Sequence, residues 1–193
     1  MNPGGRGNPG IGLGVGLVRG INVGPTTAVA MSDLVASFEE AGFTGVRTLL
    51  RSGNVVFEVS GKLGASGDDR ASAVEGGLTK RSGVSARVLL LPEEEFRRVA
   101  AGNPLLDDGD DFSKLVVTFL GAEPMPGALD VPSPESIAPE IVAVGRQAIY
   151  QWCPLGVSKT RLTAAFWRQL SPAATARNWR TVLRILGELD ART

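Results

Sequence analysis

Two short blocks of branched and aromatic residues, Val46-Arg47-Thr48-Leu49-Leu50 and Val55-Val56-Phe57-Glu58-Val59, flank the turn Arg51-Ser52-Gly53-Asn54 and read as a β-hairpin. The hairpin constrains the fold most because of what surrounds it. Before it, Val15 to Val18 reads as a buried strand, and Met31, Leu34, Val35 and Phe38 recur at the spacing of one helical face, with Gly42 as the stop. After it, a weaker helical pattern over 69–81 leads to a strand over 86–91. The order is strand, helix, strand, strand, helix, strand, which is the ferredoxin-like pattern.

The second half of the chain follows the same order. Lys114 to Leu120 reads as a strand, Pro134 to Ile137 as a short helix, and Glu140 to Val144 with Gln147 to Trp152 as a hairpin around Gly145-Arg146. Helices are predicted over 158–169 and 178–189, with a short strand over 173–175 between them. Between the halves, Pro92-Glu93-Glu94-Glu95 opens a helix with its acidic residues at the positive end. The expected architecture is α+β: a flexible tail over 1–12, a first ferredoxin-like half over 13–91, a linker helix and acidic loop over 92–112, and a second half over 113–193 that ends in a helix.

Composition narrows the chemistry. At 193 residues and 43% hydrophobic content the chain is long enough to bury a core. Its 20 basic and 20 acidic residues cancel, so the basic excess of a general nucleic-acid binder is missing. Cys153 stands alone and there is no histidine, which removes an internal disulfide, Cys-His dyads, Ser-His-Asp triads and imidazole metal ligands. Without a base, Cys153 is not expected to act as a nucleophile. A cytoplasmic setting and the absence of a membrane span are expected, since no stretch approaches the roughly 20 apolar residues that a span requires.

Two motifs imitate function without its context. Gly10-Ile11-Gly12-Leu13-Gly14-Val15-Gly16 has the glycines of a dinucleotide loop but follows no strand and opens no helix, so no cofactor is expected. Asp107-Asp108-Gly109-Asp110-Asp111 lacks the ligand spacing and closing glutamate of a calcium loop and reads as a solvated acidic segment.

The candidate site comes from topology. In a sheet ordered 4-1-3-2, the end of strand one and the hairpin turn share an edge, which places Arg19 and Asn22 beside Arg51, Ser52 and Asn54. Two guanidinium groups, amides and a helix start suit a phosphate or carboxylate. The competing reading is that Ser52 and Asn54 build the turn and that Arg19 pairs with a carboxylate. In the second half the same topology gathers Lys159, Arg161, Arg177 and Asn178 at one edge, where Asn178 also reads as the cap of the last helix. Trp152 and Trp179 read as core or interface aromatics.

The segments Leu17 to Gly24, Gly42-Phe43, Ser52 to Phe57, Asn103-Pro104, Cys153-Pro154-Leu155-Gly156, Leu162-Thr163 and Arg177 to Val182 together resemble the bacterial family called domain of unknown function 1697. The resemblance implies two ferredoxin-like halves and brings no activity. The chain departs from the family pattern at Pro25-Thr26-Thr27-Ala28, where a lysine-containing loop is usual, at Leu50-Arg51, and at Lys159-Thr160-Arg161, which keeps the charge pattern. The leading expectation is a protein that binds an anionic small molecule, a nucleotide or phosphorylated metabolite, at these cationic loops. An RNA-binding module, an enzyme using Asp, Glu or Lys, and a purely structural role are the alternatives.

Overall fold

The computed structural model describes residues 10–192 except 62, 64–66 and 126. The first sheet holds β1 (Ile11–Arg19), β2 (Thr44–Leu49), β3 (Asn54–Ser60) and β4 (Arg87–Pro92) in the order β2-β3-β1-β4, each neighbouring pair antiparallel. Helix α1 (Met31–Glu40) connects β1 to β2, and α2 (Gly67–Ser82) connects β3 to β4. After α3 (Glu93–Ala101) come β5 (Leu115–Phe119), α4 (Pro134–Ile137), β6 (Ile141–Val144), β7 (Ala148–Trp152), α5 (Ala164–Trp167), β8 (Thr175–Asn178) and α6 (Trp179–Asp190). The second sheet is antiparallel in the order β6-β7-β5-β8, the order of the first.

Strand β1 begins at Ile11, inside the segment read from sequence as tail, and the glycine-rich run belongs to it. The reason is steric. A Cβ on Gly14 would sit 2.5 Å from the Phe57 ring, and one on Gly16 would sit 2.5 Å from the Phe38 ring. Phe38, Phe43 and Phe57 pack with ring centroids 4.2–5.7 Å apart, so the glycines make room for an aromatic cluster under α1 and α2. Residues 1–9, the rest of the expected tail, lie outside the described residues.

On the opposite face of β1, Val15 and Leu17 join a core that both halves share. It includes Phe96 and Val99 of α3, Leu115, Val117 and Phe119 of β5, and Val182, Ile185 and Leu189 of α6. Phe96 stacks on Phe119, centroids 5.1 Å apart and planes within 9°, and the Tyr150 hydroxyl donates to the Val99 carbonyl at 2.7 Å. A third cluster around Ile149, Leu162 and Phe166 covers the outer face of the second sheet.

Two further elements differ from the sequence reading. The helix expected over 158–169 is broken into a 3-10 turn over 157–159 and the four-residue α5. Buried Glu140 takes one backbone group that helix would use: its carboxylate accepts from the Arg161 backbone N–H at 2.6 Å, and the side chains of Thr160 at 2.9 Å and Gln151 at 2.7 Å complete the carboxylate's partners. The last strand is β8 at Thr175–Asn178 and not 173–175, because the Ala174 N–H turns back to the Ser171 carbonyl at 2.9 Å. Thr175 then pairs with Phe119 and Asn178 with Val116.

Candidate functional site

Strand β1 ends at Arg19, and Asn22 then enters the left-handed region with φ 54°. Asn and Gly tolerate that conformation best. The Asn22 side chain ties three segments: its Nδ2 donates to the Val29 carbonyl at 3.2 Å and the Arg51 carbonyl at 2.8 Å, and its Oδ1 accepts from the Val29 N–H at 2.9 Å. The β1–α1 loop is thereby fixed to the β2–β3 turn. Asn22 is occupied with the backbone, and Arg51 meets it through its carbonyl while its side chain is exposed.

Asn54 starts β3 and is fully buried. Its Nδ2 donates to the Leu49 carbonyl and the Ser52 hydroxyl, both at 3.0 Å, which builds the turn. Its Oδ1 accepts from Nε of Arg177, a residue of the other half. Gly53, between them, has φ 77°, and a Cβ there would lie 2.8 Å from the Val18 Cβ, so the turn sits directly on β1.

Arg177 is the central residue of the seam. Only 9% exposed, it places Nη1 on the Thr175 hydroxyl at 2.8 Å and the Ala176 carbonyl at 2.7 Å, and Nη2 on the carbonyls of Val18 at 2.8 Å and Gly53 at 3.3 Å. Each of its N–H groups meets an uncharged acceptor, and no carboxylate pairs with it among the described residues. Burial lowers its pKa to about 10. It is therefore still charged at neutral pH, and its charge is uncompensated.

Arg177 also lines a cavity of about 390 Å³, together with Arg19, Ser52, Asn178 and Thr181 among others. Both halves contribute to it. Arg19 is exposed and donates Nη1 across the seam to the Pro172 carbonyl at 2.9 Å. Asn178 caps α6, its Oδ1 accepting from the Thr181 N–H at 3.0 Å and the Thr181 hydroxyl at 2.8 Å. Arg51, Lys159 and Arg161 do not line the cavity, and all three are exposed. Two separate cationic edges were expected from sequence; the geometry instead sets Arg19, Ser52, Arg177 and Asn178 around one cleft and leaves the other three cations apart.

Thr175, Thr181 and the Pro172 carbonyl were not singled out from sequence. Thr181 had a usable signal, since it stands three residues after the helix-capping Asn178. Cys153 is buried, and burial, with the Glu140 carboxylate adding to it, pushes its thiol up to about 12. Asp111 of the acidic loop accepts from the Ser113 hydroxyl at 2.6 Å and from Arg180 at 2.9 Å, and the Ser113 hydrogen bonds hold its carboxyl below the usual range. No group of acidic or cysteine residues suited to a metal ion occurs among the described residues. No described helix is long and apolar enough to cross a membrane.

The family model described as "Protein of unknown function (DUF1697)" matches residues 14–150. This chain belongs to that family. The DUF1697 match contains Arg19, Asn22, Arg51, Ser52 and Asn54, while Lys159, Arg161, Arg177 and Asn178 lie beyond it. No curated protein matches the chain. Among solved structures, the DUF1697 chain is similar to conserved bacterial protein SP0830 from Streptococcus pneumoniae, at 24% identity and a TM-score of 0.66, over 94% of this chain and 99% of that one. That likeness concerns the fold.

Proposed function

We propose that this DUF1697 protein binds an anionic small molecule, a nucleotide or phosphorylated metabolite, in the seam cleft between two ferredoxin-like halves. The first half runs from β1 to β4 and the second from β5 to α6, joined by α3 and the acidic loop after it. Their shared strand order and helix connections support this description. A cytoplasmic setting suits its single buried thiol.

One observation carries the reading. The buried Arg177 charge has only neutral acceptors around it, and Arg177 lines a cavity together with a second arginine, Arg19. The field of a buried, uncompensated cation is screened less than that of a cation in water, so it favours an anion nearby. Ser52, whose hydroxyl accepts from Asn54 and keeps its own proton to donate, adds a donor, and the start of α6 adds partial positive charge.

The alternatives fit less well. Both faces of the first sheet are covered, one by α1 and α2 and the other by α3, α6 and the second sheet, so its aromatics are not offered to RNA bases. The described cavity lining contains no carboxylate, lysine, tyrosine or cysteine to act as a general base. Binding is the better-supported activity for this cleft.

A thermal-shift screen of the full chain against nucleotides, sugar phosphates and carboxylates tests the reading, because a ligand for the native state raises the melting temperature. Stabilisation by phosphorylated compounds that is lost in Arg19→Gln is the expected result. Equal shifts in wild type and Arg19→Gln would remove the cleft from the account.

A further inference from the structure

A second cavity of about 210 Å³ adjoins the first, and the two share Arg19, Thr175 and Ala176. Their remaining linings differ in kind. The first carries Ser52, Asn178 and Thr181 with buried Arg177, whereas the second carries the Trp167 indole, Leu170 and Thr118. Buried Phe166 meets the Trp167 ring nearly at right angles, centroids 5.1 Å apart and planes at 78°, a contact that favours one orientation of the indole.

Arg19 stands between the two cavities. Its hydrogen bond to the Pro172 carbonyl, at 2.9 Å, is exposed. The guanidinium makes that bond charge-assisted already, but a phosphate adds an ionised acceptor and a second oxygen for the guanidinium fork, so it is the stronger partner. An anion in the first cavity competes with the Pro172 carbonyl for Arg19, which lines both cavities.

We propose that the two-part cleft takes a nucleoside 5′-monophosphate, with its phosphate on the Ser52 side, its base against Trp167, and Arg19 moved from Pro172 onto the phosphate. The proposal rests on the anion reading above and adds the ring. Charge favours one phosphate: a phosphate monoester carries about −1.5 to −2 at neutral pH, which the guanidinium groups of Arg19 and Arg177 balance. Size agrees, because the cavities of about 390 and 210 Å³ together fall within the range of small-molecule sites. Inorganic phosphate would leave the indole side unfilled.

The test is titration of the full chain with the four ribonucleoside 5′-monophosphates, the corresponding nucleosides and ribose 5-phosphate, followed by calorimetry and tryptophan fluorescence. At least one monophosphate should bind about tenfold or more tightly than ribose 5-phosphate and its own nucleoside, as expected when stacking and charge both contribute. Arg19→Gln and Trp167→Leu should each weaken it about tenfold. Trp167→Phe should keep most of the affinity while abolishing the fluorescence change, and this variant decides the matter if Trp167→Leu does not fold. Ribose 5-phosphate binding as tightly as every monophosphate, with Trp167→Phe leaving the fluorescence response intact, overturns the base position but leaves the anion reading standing. Failure of every phosphate compound to bind overturns both.

Discussion

Nε of Arg177, on the last strand, donates to Oδ1 of Asn54, the first residue of β3, and so joins the two sheets through a pair of buried side chains. The Asn54 amide is oriented by Leu49 and Ser52 on its other side, and Nη2 of Arg177 reaches on to Val18. Removing either side chain leaves buried polar groups without partners.

Arg177→Met should therefore destabilise the protein by about 3 kcal/mol or more, since each buried group left unpaired costs about 1–3 kcal/mol. Asn54→Ala should also destabilise it. The double variant should lose less than the sum of the singles, with a coupling of about 0.5–3 kcal/mol in urea denaturation. Additive losses would mean that the contact does not hold the seam.

The glycine face of β1 makes a steric prediction. Gly16→Ala brings a Cβ to 2.5 Å from the Phe38 ring, and overpacking of this kind costs about 1–3 kcal/mol. Phe38→Leu in the Gly16→Ala background should recover part of the loss. If Gly16→Ala melts with wild type, the strand has more room than the packing of Phe38 allows.

Asn22 separates backbone conformation from side-chain bonding. Asn22→Gly accepts the φ of 54° but loses the bonds to Val29 and Arg51, while Asn22→Ala loses the bonds and is also strained. Both should destabilise the protein, Ala more than Gly, and amide exchange in the β1–α1 loop should rise in both. Unchanged exchange would show that the loop is held without Asn22.

Cys153 gives a pH dependence of defined sign. Its thiol is pushed from an ordinary value of 9.0 up to about 12, chiefly by burial. The native state then keeps a proton that the unfolded chain releases. Stability from this group is complete below pH 9 and is lost as pH rises towards 12. Relative to Cys153→Ala, the wild type should lose stability across that window, measured as the urea midpoint. At pH 8 the native thiol should resist a disulfide reagent and react only on unfolding. Rapid native labelling would contradict its burial.

How far the fold was legible follows from where the forces are local. Met31, Leu34 and Phe38 mark α1 because a helical face needs only its own spacing, and the short helix Pro134–Ile137 begins with a proline at its first turn. The pattern over 158–169 misled because Glu140, far away in sequence, captures the Arg161 N–H and the Thr160 hydroxyl. The glycine run was read as tail up to residue 12, because nothing local shows that Phe38 and Phe57 fill the space beside it in β1. For the site, Arg19, Ser52, Arg177 and Asn178 were visible as unusual residues at strand ends. Their meeting in one cleft was not, because within-sheet topology places each residue on its own sheet edge and says nothing of how the two sheets dock. Trp167 and Thr175 were missed because nothing local distinguishes them from core residues.

The central claim is that one anion site spans the seam, served by Arg19 from one half and Arg177 from the other. A crystal structure of the full chain soaked with inorganic phosphate tests it most directly. The account predicts phosphate in the cavity that Arg19, Ser52 and Arg177 line, with the Arg19 guanidinium turned from the Pro172 carbonyl to the anion. An empty cleft, with Arg19 still on Pro172 and phosphate only at Arg51, Lys159 or Arg161, would contradict it.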